Sequence, residues 1–261
     1  MPIGSITRGT TGTNRLRRID RWIAELPAFR RAKDPLIVDL GYGASATTSL
    51  ELHQRLSRFR PDVRIVGIEI DPARVALASL SARPGVEFRL GGFEVPLDDN
   101  RRATVIRALN VLRQYDESRV LENWKLMVSR LEPGGVLVEG TCNEVGRVAS
   151  WADVTADGPQ SFTISLRLAD LERASIVAER LPKVLIHRNV EGENIHRFLL
   201  DLDRFWRVHA PLSVYGPSQR WIAVAGSLRD AGWPVLGGRS RWKLGELTVE
   251  WDAVAPRDFA W

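Results

Sequence analysis

The sequence predicts an α/β protein built on a doubly wound, mostly parallel sheet with helices on both faces. Three observations carry this reading. Apolar runs at residues 36–40, 64–70, 86–90, 103–109 and 136–139 have the length of buried strands. Helical spacing and short connections separate the first three, giving the βαβαβ order that places strands side by side in parallel. The first strand also runs directly into Gly41-Tyr42-Gly43, followed by the small residues Ala44, Ser45 and Ala46. Glycine permits a tight turn there, and the next helix offers free N–H groups to an anionic or nucleotide ligand.

Composition narrows the class. The chain has 261 residues, enough for one large α/β domain with an insertion, and a net charge of +5. Its one cysteine, Cys142, excludes an internal disulfide and a Cys-rich zinc cluster, so a reducing cytoplasm is the expected compartment. No apolar run has the length of a membrane span, and the amino terminus lacks the apolar core of a secretory signal. Residues 1–33 hold eight Lys/Arg against two acids, leaving the rest of the chain near neutral. Such a leader binds nucleic acid, closes over an anionic ligand, or forms a solvated helix face.

In chain order, residues 1–12 are rich in Gly and Thr and read as an arm. From Thr13, the residues Leu16, Ile19, Trp22, Ile23 and Leu26 recur at helical spacing until Pro27 breaks the pattern. Asn14 and Arg15 stand at the start of that helix, placed either to cap a surface helix or to reach a ligand carboxylate. Asp39 lies just ahead of the glycine turn, and the helix behind it, to about residue 58, buries Leu50, Leu52 and Leu56. The second strand is apolar up to Glu69 and so puts a carboxylate at its carboxyl end, beside the glycine turn, where a ribose diol can donate to it. The third strand leads into Gly91-Gly92-Phe93, where Phe93 either joins the core or covers an adenine face. The fourth ends at Asn110, next to the expected crevice. A helix over residues 118–131 closes at Glu132-Pro133-Gly134-Gly135, ahead of the fifth strand.

Beyond that strand, residues 162–168 alternate apolar and polar as a half-buried strand should, either widening the sheet or starting a cover over the crevice. Residues 193–209 place Ile195, Phe198, Leu199, Leu202, Trp206 and His209 on one helical stripe, which reads as core. In the polar stretch 185–194, His187 is the candidate general base and Arg188 a candidate partner for an anionic acceptor, a plain surface loop being the other reading. The histidines lack metal-ligand spacing, so no metal is expected. A helix over 217–231 capped by Gly232, a strand at 233–236 and strand-like alternation over 244–254 complete the chain. The expected organisation is a basic arm and helix, 1–33, and one domain, 34–261, with an insertion or substrate cover at about 145–215.

Three motifs stand in order: Val38-Asp39-Leu40-Gly41-Tyr42-Gly43, Gly67-Ile68-Glu69-Ile70-Asp71 and Leu131-Glu132-Pro133-Gly134-Gly135-Val136. Over residues 35–140 the chain thereby resembles the class I, Rossmann-like, S-adenosylmethionine-dependent methyltransferases. The resemblance implies a seven-stranded sheet with an antiparallel last strand and S-adenosylmethionine as cofactor. It implies Asp39, Gly41 and Gly43 around the amino-acid end of that cofactor, Glu69 on its ribose, Ile70 and Phe93 flanking adenine, and Asn110 lining the transfer crevice. Two positions depart from the pattern. Ser45 stands where a third glycine is common, and Gly92 where an acid often meets the adenine amino group, leaving that contact to a backbone group or to Glu94. The same glycines satisfy the dinucleotide pattern G-x-G-x-x-G/A. The Pro-Gly-Gly turn and the acid two residues before Gly41 favour the methyl donor.

The expected function is methyl transfer to a small-molecule or metabolite acceptor, at oxygen or nitrogen. One alternative is RNA or DNA methylation using the basic leader. Against it, Asn110-Val111-Leu112-Arg113 is not the Asn/Asp-Pro-Pro-aromatic run of many amino-directed nucleic-acid enzymes, and Cys142 lacks a preceding proline. A non-catalytic S-adenosylmethionine-binding protein is the other. The oligomeric state is not written in the sequence.

Overall fold

The computed structural model describes residues 2–98 and 101–261; Met1 of the expected arm lies outside them. The arm leads into α1 (Arg17–Ile23) and α2 (Pro27–Arg31). Then come β1 (Leu36–Leu40), α3 (Thr47–Leu56), β2 (Arg64–Glu69), α4 (Pro72–Ser79), β3 (Val86–Leu90), β4 (Ala103–Leu109), α5 (Val120–Val128) and β5 (Leu131–Cys142). The second half holds β6 (Val148–Thr155), β7 (Gly158–Leu166), α6 (Lys183–Ile186), α7 (Asn194–Val208), α8 (Pro217–Asp230), β8 (Val235–Leu236), α9 (Arg239–Trp242) and β9 (Glu246–Glu250).

All strands join one sheet of order β3-β2-β1-β4-β5-β6-β7-β9-β8. From β3 to β5 neighbours are parallel, and from β5 onward every pairing is antiparallel. The doubly wound class is as predicted, with nine strands among the described residues where the resemblance implied seven. The difference is the β6–β7 hairpin, which lies in the sheet between β5 and β9. Of the segment 145–215, residues 148–166 thus extend the sheet, while the remainder, including α7, packs on one face of it.

β6 left no sequence signal because it is buried on both faces, so its side chains do not alternate in polarity. β7 does alternate, yet its polar residues Ser161, Thr163 and Ser165 are buried too. Their partners explain it: Arg18 of α1 donates to Ser165 at 3.0 Å, Thr163 and Thr248 share a hydrogen bond of 2.9 Å, and Ser161 donates to Asp153. α1 therefore lays its basic face on the polar stripe of the antiparallel half, where Arg21 meets Glu246 at 2.6 Å and the Trp22 indole donates to Asp153. Pro27 ends the α1 pattern and sits in the first turn of α2, where its missing N–H costs nothing.

α1, α2 and α3 cover one face through Ile19, Ile23, Phe29, Leu52 and Leu56. α5, α7 and α8 cover the other around Trp124, Phe198, Trp206 and Trp221. Trp124, Trp151, Trp221 and Trp251 are fully buried, and truncating such a side chain to alanine costs about 3–5 kcal/mol. The predicted α7 stripe is core, apart from His209, which ends the helix and bonds Ser227 Oγ at 2.7 Å. The Pro133-Gly134-Gly135 turn lies inside β5 as an irregularity, Leu131 pairing with Ala103 and Val136 with Val105. Among the described residues no helix is long and apolar enough to cross a membrane.

Candidate active site

The turn between β1 and α3 is set by close approach from two directions. Gly41 and Gly43 have φ of +68° and +88°, where side chains are strained. A Cβ on Gly41 would stand 2.5 Å from Val111 Cγ2, beyond β4, and one on Gly43 would stand 2.7 Å from the Gly9 carbonyl oxygen of the arm. That carbonyl accepts the Ala44 N–H at 2.8 Å, so the arm lies directly on the turn.

Two adjoining clefts open at the carboxyl ends of β1, β2 and β4, sharing Thr7, Leu40, Gly41 and Val111. The first, about 480 Å³, is lined by Thr10, Arg15, Asp39, Thr48, Asn110 and Gln114. The second, about 290 Å³, is lined by Ile68, Glu69, Ile70, Gly92, Phe93 and Tyr115. Together they form one continuous slot.

Glu69, 2% exposed, lines the second cleft beside the glycine turn. Its carboxylate accepts the N–H groups of Gly43 at 3.0 Å and Ile70 at 2.9 Å, with Arg74 at 3.7 Å. Ile70 and Phe93 flank this second cleft, and Phe93 is fixed edge-on to Tyr115 at 5.1 Å between centroids. Gly92 is required there, because a Cβ would meet the Ile3 carbonyl oxygen at 2.0 Å. Glu94 accepts the Gly92 N–H at 2.9 Å and the Ile3 N–H at 2.6 Å, so it anchors the arm and is not free for a ligand.

Arg15 is 8% exposed and lines the first cleft. It donates to the backbone oxygens of Asn143 and Thr10 and forms no ion pair with a carboxylate among the described residues. Asn14, in contrast, turns away from the slot: its N–H is bound by Glu51 and its side-chain oxygen by Arg55 at 2.7 Å. Of the Asn14/Arg15 pair, only Arg15 faces the site.

Asp39 lines the floor, but its oxygens are taken. Thr48 and Ser49 donate to it at 3.0 and 2.7 Å, and Arg107 of β4 donates at 3.0 Å and pairs at 2.7 Å. Arg107 also pairs with Asp20 of α1, which in turn holds Arg55 of α3. Burial alone would push the Arg107 pKa down; Asp39 and Asp20 outweigh it and hold the guanidinium charged well above its ordinary value. Asp39 thus lines the first cleft and also ties the glycine turn to α1 through Arg107. Asn110, at φ +64°, bonds back to Cys142 through both side-chain ends and presents itself to the first cleft.

His187 lines neither cleft. It is exposed at the end of α6, with its Nε2 3.3 Å from Lys183 Nζ, so the structure does not bring the expected base to the slot. Arg188 is likewise spent, pairing with Glu117, Glu193 and Asp258. Among the described residues no group of three or more His, Cys, Asp or Glu is placed to hold a metal.

The arm was the part of the site hardest to foresee. Ser5 N–H donates to Tyr115 Oη at 2.6 Å, Arg8 N–H to Gln114 at 3.0 Å, and Arg74 to the Thr7 oxygen at 2.8 Å. These partners are 67 to 110 residues away along the chain, beyond the reach of any local pattern. Tyr115, Gln114 and Thr48 were missed for the same reason; the only signal was the arm's run of Gly and Thr.

No protein-family model matches the sequence, and no curated protein matches it. Solved structures do align with the fold. The CcbJ methyltransferase from Streptomyces caelestis aligns at 18% identity over 61% of this chain and 73% of its own, with a TM-score of 0.38. Human N-acetylserotonin methyltransferase, in complex with SAM, aligns at 22% over 51% and 36%, with a TM-score of 0.36. A pericyclic reaction enzyme aligns at 18% over 45% and 31%, with a TM-score of 0.36. The aligned part is about half or less of most such neighbours' own length. Methyltransferases recur among them, but the alignments are too distant to transfer a residue's role.

Proposed function

We propose that this protein is an S-adenosylmethionine-dependent methyltransferase acting on a small-molecule acceptor at oxygen or nitrogen. The observation that carries the reading is the lining of the slot: Arg15, with no ion pair among the described residues, in the first cleft, and the buried Glu69 beside the apolar Ile68, Ile70 and Phe93 in the second. An elongated ligand with a carboxylate at one end, a ribose diol in the middle and an apolar aromatic base at the other fits that lining. Arg15 holds the amino-acid carboxylate, and the glycine turn lets backbone approach it. Glu69 accepts from the ribose hydroxyls, and Ile70 and Phe93 enclose adenine, with Gly92 leaving room.

When bound, S-adenosylmethionine supplies an electrophilic methyl group on a cationic sulfur. The chain's own task is alignment, since in-line displacement gains most from holding donor and acceptor in contact. Both carboxylates of the slot are already engaged, Asp39 by Arg107, Thr48 and Ser49 and Glu69 by the Gly43 and Ile70 N–H groups. An acceptor that reacts as a neutral amine, or that loses its proton to solvent, suits such a site.

The nucleic-acid alternative stays open: Arg15 and Arg18 of the basic leader are buried and Arg21 is paired with Glu246, but Arg8, Arg17, Arg30, Arg31 and Lys33 are exposed. Calorimetry with S-adenosylhomocysteine and with NAD tests the proposal. Tight binding of the former alone supports it, and binding of NAD alone would overturn it.

A further inference from the structure

Arg113 and Arg180 come from distant parts of the chain and meet past the carboxyl ends of β4 and β5, outside both clefts. Arg113 follows the tip of β4, three residues after Asn110. Arg180 ends the 3-10 turn Ala174–Arg180, whose last carbonyl is held by Thr141 Oγ1 of β5 and Ser150 Oγ of β6, both at 2.5 Å. The Arg113 Nη1 and Arg180 Nη1 groups donate to one acceptor, the Glu179 carbonyl oxygen, at 2.9 and 3.1 Å. The two guanidinium groups are thereby held together.

Like charges so placed need an anion nearby. Among the described residues neither forms an ion pair, in contrast to Arg188, which has three carboxylates. Arg180 Nε is buried with no hydrogen-bond partner at all. Burial, followed by repulsion from Arg180, lowers the Arg113 pKa, and the Glu179 carboxylate opposes this less than Arg180 promotes it. The protein therefore holds two half-buried guanidinium groups on one carbonyl oxygen, with no ion pair to either among the described residues and one buried N–H left without a partner, an arrangement that a ligand anion would complete.

We propose that Arg113 and Arg180 form the acceptor-side anion site, receiving a doubly charged oxyanion, a phosphate ester or a dicarboxylate, on the substrate. Their planar forks suit bidentate contact with such a group. Their place at the ends of β4 and β5 sets that anion beyond Asn110, on the far side from the glycine turn, so the acceptor's reacting atom points back toward the slot. This rests on the methyltransferase reading.

The test is calorimetric titration of inorganic phosphate, and separately malonate, into the full-length protein saturated with S-adenosylhomocysteine, at constant ionic strength. Wild type should bind one of the two anions, which tells phosphate from dicarboxylate. The Arg113→Gln/Arg180→Gln double variant, and to a lesser degree Arg113→Gln alone, should weaken it at least about tenfold, the loss of a charge-assisted pair. S-adenosylhomocysteine affinity should stay unchanged, and Arg167→Gln, at an arginine paired with Asp170, should have no effect on either. Equal anion binding by wild type and double variant, or none by wild type, overturns the anion site. Anion binding without any S-adenosylhomocysteine binding overturns its role as an acceptor site and the donor reading with it, while leaving the pair's affinity for anions measured.

Discussion

The two halves of the sheet use buried polar groups differently. In the parallel half, Glu69 and Asn110 stand at strand ends where the chain turns away, and their side chains border open clefts. In the antiparallel half, Asp153, Ser161, Thr163, Ser165, Thr248 and Glu246 lie along the strands and are bound by one another or by α1. Polarity inside a sheet is therefore no guide to function by itself. Parallel strands end together on one edge, leaving backbone groups and space for a ligand, whereas hairpins close their ends with tight turns. Asp39 and Arg107 belong to the parallel half yet behave like the antiparallel one, because they sit along strands and their charges cancel.

Four experiments break or sharpen that contrast. The largest effect is expected for Arg107→Leu, which strands Asp39 and leaves Asp20 with Arg55 alone; removing one partner of a buried pair costs about 3–5 kcal/mol in urea unfolding. Thr163→Val in the other half removes one neutral hydrogen bond and should cost about 1 kcal/mol. If the two losses were equal, the network around Arg107 would not be the keystone described.

Next, Glu69→Gln should weaken S-adenosylhomocysteine binding by about 10- to 100-fold, the worth of about 1.5–3 kcal/mol for bonds to a charged group. Unchanged affinity would remove Glu69 from the ribose. Removing residues 2–12 should then speed S-adenosylhomocysteine release in stopped-flow measurements, since the arm roofs both clefts through Thr7. An identical off-rate would make the arm a bystander.

The last comparison is in pH dependence. Burial raises the Glu139 pKa to about 8, opposed only by the Trp124 indole. Between its ordinary value near 4.5 and about 8, the folded state keeps a proton that the unfolded state has lost, so stability falls as pH rises through that window. Asp153, raised to about 7 by burial, adds to the same slope. Glu139→Gln should flatten the decline in urea midpoint from pH 5 to 8, and a slope like that of the wild type would mean another group carries it.

The residues legible in the sequence were those whose role is local. Gly41 and Gly43 announce a turn that only glycine makes easily, and Glu69 announces itself by ending an apolar run. Arg15 was legible as a candidate only because it opens a helix, and choosing it over Asn14 required knowing which way each faces. His187 and Arg188 had suitable chemistry and the wrong place.

By itself, then, the sequence determined the doubly wound class, the glycine turn and the acid at the end of β2, because backbone freedom and apolar periodicity act over a few residues. The tertiary structure alone decided that β6 and β7 widen the sheet, that Asp39 answers to Arg107, that the arm lies across both clefts, and that Arg113 meets Arg180. Each of these joins residues tens of positions apart, and the choice of partner depends on strand order and on which groups burial leaves without water.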